Sequence, residues 1–172
     1  MTNLLQEWVS LQAQRRPEAV ALVQGDRTIT YGQLDRLSNQ LARALKTAGC
    51  QRGDRVGLLV PKSPEAIVGM LGTLKADCIY VPIDTANPAA RVTKILNVCD
   101  SRCILTASPA LELLDQVLAD EKFRENACIG WLGRPETAGE TVGSRFSWDD
   151  LERYPSTPLD YENSLTLTDC RY

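Results

Sequence analysis

The sequence contains no histidine, and this absence removes several classes of catalytic site at once. Without an imidazole, the chain has no Ser-His-Asp triad, no Cys-His nucleophile pair and no zinc site with a histidine ligand. Glycine-rich phosphate loops are missing as well, because neither G-x-x-x-x-G-K-[ST] nor G-x-G-x-x-G occurs. Gly69 and Gly72 lie inside a predicted helix, where we expect them to permit close packing rather than to touch a ligand.

Excess positive charge and long apolar runs are also lacking. The chain has 19 Lys and Arg residues against 22 Asp and Glu residues, which gives a net charge of −3 and a pI near 5.1. This balance offers no electrostatic basis for binding nucleic acid. No apolar run approaches the roughly 20 residues of a membrane span, and the N-terminus does not resemble a signal peptide. We therefore expect a cytoplasmic protein with no nucleic-acid or membrane partner.

Six cysteines are scattered along the chain, at 50, 78, 99, 103, 128 and 170, and we expect them to be reduced thiols. Cys99 and Cys103 form a C-x3-C pair, the only close pair. A metal site there needs two further soft ligands, and none is visible nearby. The spacing favours the alternative, in which four cysteines are small apolar core residues: Cys78, Cys99, Cys103 and Cys128.

The 172 residues, of which 44% are hydrophobic and 24% charged, indicate one globular domain. A first helix is predicted over Asn3–Arg16, with Leu4, Trp8 and Leu11 on one face. Two short strands around Gln24–Arg27 are typical of a hairpin. A capping box of Thr30 and Gln33 starts a long helix, which we expect to end at Gly49. Its apolar stripe is formed by Leu34, Leu37, Leu41, Leu45 and Ala48.

From residue 55 onward, short apolar runs alternate with helical patterns. Strands are predicted at Val56–Val60, Cys78–Val81, Cys103–Leu105 and Ala127–Leu132. Helices between them are expected to be capped by Ser63-Pro64, Asn87-Pro88 and Ser108-Pro109. Crossovers of about a dozen residues require parallel strands. The sequence therefore predicts an α/β fold, an open and mostly parallel sheet with helices on both faces.

After Leu132 the pattern weakens, and residues 133–172 are expected to be rich in loops. Gly133–Ser144 and Pro155–Asn163 are typical of solvated loops. A short helix is predicted at Trp148–Glu152, capped by Ser147. Its acidic start, formed by Asp149, Asp150 and Glu152, is explained by the helix dipole alone.

Candidate ligand-binding residues follow the carboxyl ends of the predicted strands, where open α/β sheets bind their ligands. They are Pro61-Lys62-Ser63, Pro82-Ile83-Asp84 and Thr106-Ala107-Ser108. Ser63 and Ser108 each begin a helix, so each could hold an anion on free backbone N–H groups. The pattern favours ordinary N-caps at both positions. Lys62 could assist a phosphate or be a solvated turn residue.

Several segments together resemble the adenylate-forming ligases, most closely the amino-acid adenylation domains of non-ribosomal peptide synthesis. Thr-Ile-Thr-Tyr-Gly-Gln-Leu at 28–34 is similar to the family's T-Y-x-E-L opening motif, and Gly53–Val56 resembles its turn into the first parallel strand. Residues 74–84 resemble the second core motif, L-K-A-G-x-A-Y-V-P-I-D, with Asp77 in place of the usual glycine and Gln33 in place of glutamate. Pro88, Arg91 and the strand at 104–106 fall where the family places them.

The resemblance implies a partial AMP-binding domain over residues 1–172. In the family, a carboxylic acid and ATP with Mg²⁺ give an acyl or aminoacyl adenylate, which passes to the phosphopantetheine thiol of a carrier protein. The family's phosphate loop ends in Pro-Lys-Gly and is expected to follow Asp169–Tyr172, and its catalytic lysine lies in a C-terminal domain. We therefore assign no catalytic, cofactor-binding or metal-binding residue in this sequence and no cofactor to this chain.

Three hypotheses follow from this resemblance. The leading one is the N-terminal portion of an amino-acid or acyl adenylating ligase that is inactive alone. The second is a non-catalytic interaction module, which associates through the apolar face that a truncated α/β domain exposes. The third is a degenerate truncated product with no role of its own.

Overall fold

The computed structural model describes residues 4–120, 124–125, 127–133 and 144–159. Strands and helices alternate through most of this part, as the sequence predicts. The helices are α1 (Leu5–Arg15), α2 (Tyr31–Thr47), α3 (Pro64–Lys75), α4 (Ala89–Val98) and α5 (Leu111–Leu118). The strands are β1 (Val20–Gln24), β2 (Arg27–Thr30), β3 (Arg55–Leu59), β4 (Ile79–Pro82), β5 (Cys103–Thr106) and β6 (Cys128–Trp131). Two 3-10 turns lie at Ser108–Ala110 and Asp149–Arg153.

The main sheet has four parallel strands in the order β4-β3-β5-β6, which confirms the predicted open parallel sheet. The strands β1 and β2 form the expected antiparallel hairpin, whose turn contains Gly25 in the left-handed region. Phe146 adds one parallel bridge beside Gly130 of β6. On the other side, β4 is the edge among the described strands, and it ends in Pro82. In the described part of the chain, no helix has the length and apolar character that crossing a bilayer requires.

Helices cover both faces of the sheet, so the core has two apolar layers. On one face, Val56, Leu58 and Leu105 pack with residues of α2 and α3. On the other face, Leu59, Ile104 and Ile129 pack with residues of α4 and α5. Successive side chains of a strand point to opposite faces, which explains why these strands are apolar throughout. This arrangement confirms the predicted fold class.

The helices α2 and α3 approach closely at a glycine. A Cβ built on Gly72 would lie 2.6 Å from Leu41 Cδ2, so any side chain there would collide with α2. This contact confirms that Gly72 permits close packing. The predicted capping box is also present, because Gln33 N–H donates to Thr30 Oγ1 at 3.3 Å and Thr30 N–H donates to Gln33 Oε1 at 2.9 Å. Glutamine serves as well as glutamate here, since only the oxygen acceptor is needed.

A buried lysine joins three helices behind the sheet. The side chain of Lys75 is 0% exposed, and its Nζ donates to Asp35 Oδ1 at 2.7 Å and to Asn39 Oδ1 at 2.8 Å. Ser10 of α1 donates to the same Asp35 oxygen at 2.6 Å. Burial lowers the pKa of Lys75, although the Asp35 carboxylate acts to raise it. The Leu-Lys-Ala segment of the second motif therefore contributes a structural ion pair.

The predicted inward face of α1 is wrong in part. Trp8 is 53% exposed, whereas Gln6 is buried at 3%. The Gln6 amide approaches the Leu74 carbonyl, at 3.5 Å, near the end of α3. The same carbonyl also accepts a hydrogen bond from Asp77 N–H at 3.1 Å. A glutamine is thus the buried residue of α1, and the tryptophan that the apolar periodicity placed inward lies at the surface.

Three of the predicted helix caps differ from the structure. Pro88, not Asn87, is the N-cap residue of α4, because Asn87 N–H closes a turn onto the Asp84 carbonyl at 3.1 Å. Ser108 does not cap α5 but lies inside a 3-10 turn, which brings the buried Ala107 and Ala110 together before α5 begins. At the last turn, the Ser147 hydroxyl donates to the Asp150 carboxylate at 2.7 Å, and the segment is 3-10 rather than α-helical.

The cysteine prediction is confirmed for Cys78 and Cys103, is correct in part for Cys128, which packs against the same core cluster, and is wrong for Cys99. Cys78 and Cys103 are buried, whereas Cys99 and Cys128 are only partly buried. Cys99 is the C-cap residue of α4, at the sheet's rim, which explains its exposure. Residues 155–159 of the predicted loop Pro155–Asn163 contain no helix or strand, which agrees with the prediction. The rest of that loop, most of Gly133–Ser144 and all of Asp169–Tyr172 lie outside the described residues.

Candidate functional site

The chain reverses its direction of winding between two adjacent strands, β3 and β5. From β3 it crosses to β4 on one side, and from β4 it returns past β3 to β5 and then to β6. Ligands of open α/β sheets bind in the crevice at the carboxyl ends of such a pair of strands. Two of the three predicted ligand segments begin there, at Pro61-Lys62-Ser63 after β3 and at Ala107-Ser108 after β5. Thr106 Oγ1 joins the two strands by donating to the Leu59 carbonyl at 3.2 Å.

The start of α3 lies in this crevice, and the chain's own groups occupy it. Ser63 Oγ accepts a hydrogen bond from Ala66 N–H at 3.2 Å, which confirms the N-cap interpretation. The carboxylate of Glu65 also lies at this helix end, where it forms hydrogen bonds with its own N–H and with the Ser63 hydroxyl. An internal anion thus takes the position that an external phosphate would need.

An arginine from the hairpin completes this helix end. Arg27 Nη2 forms an ion pair with Glu65 Oε1, and the side-chain exposure is 62% for Arg27 and 11% for Glu65. Burial acts to raise the pKa of Glu65, but the hydrogen bonds from Arg27, from its own N–H and from Ser63 outweigh it. The net effect lowers the pKa of Glu65 below its usual value of 4.5, so the carboxylate stays ionised at neutral pH.

A shallow groove of about 430 Å³ runs beside this site, between the hairpin and α3. Lys62 and Ser63 line its rim, and Gln24 Nε2 donates to the Lys62 carbonyl at 3.0 Å. The remaining lining is mainly apolar: Leu22, Val23, Val60, Pro64, Ala66, Ile67 and Met70. The exposed Lys62 side chain is the one cationic group in the lining of this groove.

The third predicted segment lies one strand away from the crevice. Asp84 follows the edge strand β4, and its carboxylate accepts from Ala86 N–H at 2.9 Å, which stabilises a turn before α4. The Ile83 side chain is buried under α4 and α5, so the segment continues into the second apolar layer. Asp84 therefore serves the local turn in this structure.

The described residues do not fit ATP with Mg²⁺. The one helix start at the crevice is filled by Ser63 and Glu65, and no glycine loop accompanies it. Within the described ranges, no three His, Cys, Asp or Glu side chains are arranged so that they could hold a metal ion.

Sequence reasoning missed the pairing of Arg27 with Glu65. The two residues are 38 positions apart, and each has a local explanation, in a hairpin and in a first helical turn. No periodicity joins them. The one available signal was the acidic residue directly after Ser63-Pro64, which indicates that the helix end already has its negative charge.

The family model "AMP-binding enzyme" matches residues 9–166 of this chain. Gramicidin S synthase 2 of Aneurinibacillus migulanus is 40% identical over 160 residues, which are 91% of this chain and 4% of that protein. Tyrocidine synthase 2 of Brevibacillus parabrevis is 47% identical over 92 residues, which are 54% of this chain and 3% of that protein. The chain therefore spans only a few per cent of the length of these relatives.

Solved structures of two ligases have the same fold as this chain. An anthranilate CoA ligase in complex with anthranoyl-AMP superposes with a TM-score of 0.76 and 25% identity, over 88% of this chain and 28% of that one. A Mycobacterium tuberculosis fatty acyl CoA synthetase gives a TM-score of 0.75 and 26% identity, over 91% of this chain and 30% of that one. The match covers nearly all of this chain and less than a third of either enzyme.

Proposed function

Because this chain belongs to the AMP-binding enzyme family, we propose that it forms the amino-terminal scaffold of an amino-acid adenylation domain, similar to those of peptide synthetases. The complete domain would join a carboxylate to AMP, with release of pyrophosphate from ATP. The acyl group would then pass to the phosphopantetheine thiol of a carrier protein. In this proposal ATP and Mg²⁺ belong to the complete domain, and the described residues bind neither.

The observation that carries this proposal is the structure of the second motif, residues 74–84. Its lysine is the buried partner of Asp35, its Asp77 adopts the left-handed conformation (φ 61°), and its apolar residues form the edge strand β4. Lys75, Asp77 and the residues of β4 thus have structural roles, which supports a scaffold function for this motif. The 40% identity to a peptide synthetase supports the amino-acid branch of the family.

A segment exchange tests the proposal. Residues 9–166 would replace the matching segment of an adenylation domain of gramicidin S synthase 2, and amino-acid-dependent exchange of pyrophosphate into ATP would be measured. We expect the chimera to catalyse exchange with the amino acid of the recipient domain, because the scaffold carries no specificity. A folded chimera with no exchange would contradict the scaffold role.

The 172-residue chain by itself is the matched control. We expect no exchange and no saturable, magnesium-dependent binding of ATP, since the described crevice is filled by Ser63 and Glu65. Turnover above the blank, or calorimetric binding of ATP, would show that the nucleotide site lies within this chain after all.

A non-catalytic interaction module is the second candidate function. It is favoured by exposed apolar side chains on α1 and the hairpin, where Leu5 is 61%, Trp8 53% and Val23 69% exposed. Apolar surface of this kind is typical of contact sites when it is contiguous. Light scattering across a concentration series tests it: a rising mass that Trp8→Ser abolishes supports a module, and a constant monomer mass contradicts it.

A further inference from the structure

Four cysteines meet at the amino end of the sheet, opposite the crevice. Cys50 follows α2, Cys78 precedes β4, and Cys103 and Cys128 are the first residues of β5 and β6. We name these four residues the thiol cluster. All four belong to, or pack against, the same apolar cluster on the α2 and α3 side of the sheet. Cys103 and Cys128 are also direct partners in the parallel ladder.

Three members of the thiol cluster line a cavity of about 490 Å³. Cys50 and Cys128 are partly exposed there, whereas Cys103 is buried at 3%. Charged side chains of both signs share the lining: Asp54, Arg55, Asp100, Arg102, Glu125 and Arg145. A small polar oxidant can therefore reach sulfur atoms in this cavity without unfolding of the chain.

The surroundings of the thiols shift their pKa values in different directions. The neighbouring side chains of Cys103 and Cys78 lower the pKa of Cys50, against the opposing effects of burial and of the Asp54 carboxylate. Hydrogen bonding and burial raise the pKa of Cys78 and of Cys103. Cys50 is thus the preferred thiolate and has protonated thiols as neighbours, an arrangement typical of redox-active cysteines.

We propose that the thiol cluster is an oxidation site, at which a hydroperoxide converts Cys50 and Cys103 into a disulfide. The Cys50 sulfur attacks one peroxide oxygen, the O–O bond breaks, and hydroxide or alkoxide leaves, so that Cys50 becomes a sulfenic acid. The Cys103 sulfur then attacks the Cys50 sulfur and loses its proton, and the S–O bond breaks with release of water. The two thiols lose two electrons, and the peroxide gains them.

The choice of Cys103 as partner rests on position. It belongs to the same apolar cluster as Cys50, and it lines the same cavity. Cys128 is an alternative partner for Cys103, but both belong to adjacent strands whose backbones are fixed by the ladder. Cys50 lies in the loop after α2, which can adjust to the specific geometry that a disulfide requires. This site is distinct from the crevice of the proposed function, and it requires neither ATP nor a carrier.

Mild hydrogen peroxide on the folded full chain, followed by alkylation of free thiols and mass spectrometry, tests the proposal. Before alkylation, we expect the intact mass to fall by two hydrogen masses. After alkylation and digestion, we expect a single cross-linked peptide pair that joins Cys50 to Cys103. Dithiothreitol should reverse the change. Joining of Cys103 to Cys128, a cross-link only between chains, or no cross-link at all would overturn the proposal.

Variants separate a built site from general thiol oxidation. Cys103→Ser should leave Cys50 as a sulfenic acid that dimedone labels, whereas Cys50→Ser should abolish both products. Cys99→Ser is the matched control, because Cys99 is partly exposed but does not line the cavity, and it should leave the cross-link unchanged. In the unmodified folded chain, iodoacetamide should label Cys50 about tenfold faster than Cys99 at neutral pH. Equal rates would contradict the proposal, and this measurement needs no substitution.

Discussion

The two ends of the sheet differ in what their polar groups do. At the carboxyl end, Ser63 caps the first turn of α3, and Glu65 in the same turn forms an ion pair with Arg27. At the amino end, α3 terminates beside the buried Lys75 pair, and the thiol cluster faces a charged cavity. The carboxyl end, at which this type of fold binds ligands, is therefore the end whose described polar groups are already paired. Among the described residues, the polar groups at the carboxyl end of the sheet are thus paired with one another, and the thiol cluster lies at the opposite end.

Lys75→Ala gives the largest expected effect and tests the amino end. The substitution leaves the Asp35 carboxylate, whose side chain is 15% exposed, without its charged partner. We expect a loss of about 3–5 kcal/mol in the free energy of unfolding, measured by urea titration. Lys46→Ala is the control, since the Lys46 side chain is 41% exposed and its pair with Asp77 spans 3.4 Å. That variant should lose no more than about 1 kcal/mol, and equal losses would contradict the assigned role of Lys75.

Ser63→Ala tests the carboxyl end, with an intermediate effect. The variant removes the acceptor for Ala66 N–H and a hydrogen bond to Glu65, so the unfolding free energy should fall by about 1 kcal/mol. Ser63→Thr keeps the hydroxyl, so this variant should retain most of the unfolding free energy that Ser63→Ala loses. If the start of α3 has only a structural role, neither variant should change the rate at which peroxide cross-links Cys50 to Cys103 at the opposite end of the sheet. A changed rate would show that the two ends are coupled.

The acid dependence of stability sharpens the comparison further. Because the pKa of Glu65 is lowered in the folded state, the folded protein binds a proton at this carboxylate less readily than the unfolded chain does. Its contribution to stability is therefore full above pH 4.5 and is lost as the pH falls through the lowered pKa. In urea titrations between pH 3 and pH 6, the unfolding free energy of Glu65→Gln should fall less with decreasing pH than that of the unmodified chain. Parallel curves for the two chains would refute this contribution of Glu65.

Asp77→Gly gives the smallest expected change, and in the opposite direction. Asp77 has a φ of 61°, a conformation that costs a non-glycine residue roughly 1 kcal/mol. Glycine removes that cost, and the exposed contact with Lys46 that is lost contributes little. We expect a gain of about 0.5 kcal/mol in the unfolding free energy. Asp77→Ala, which keeps the strain and loses the contact, should show no gain.

Much of the fold was predictable because it depends on local patterns. The apolar stripe of α2, the capping box at Thr30 and the parallel strands all follow from periodicity, capping chemistry and crossover length. The strand order β4-β3-β5-β6 was not predictable, because it depends on which side of β3 each crossover takes. Ser63-Pro64 and Ser108-Pro109 are alike in sequence, yet only Ser63 caps an α-helix. Ser108-Pro109 lies in a 3-10 turn between the buried residues Ala107 and Ala110.

The sites were less predictable than the fold. Periodicity tells which side chains point inward, but it does not tell which of them touch. Cys50 and Cys103 are separated by two strands and two helices in the chain, and the ladder alone brings Cys103 beside Cys128. The sequence drew attention to the C-x3-C spacing of Cys99 and Cys103, whereas Cys99 is not among the residues that line the cavity. Contacts between distant segments require the three-dimensional structure.

Pro82, the last residue of the edge strand β4, has a consequence for how this sheet behaves among other copies of itself. Proline has no N–H to offer, so a foreign strand that aligned with this border would find its hydrogen-bonded ladder interrupted at that rung. Natural proteins use such interruptions to discourage fibril-like stacking of sheets. A proline within the family's second motif thus opposes edge-to-edge pairing of this strand with another copy of the chain.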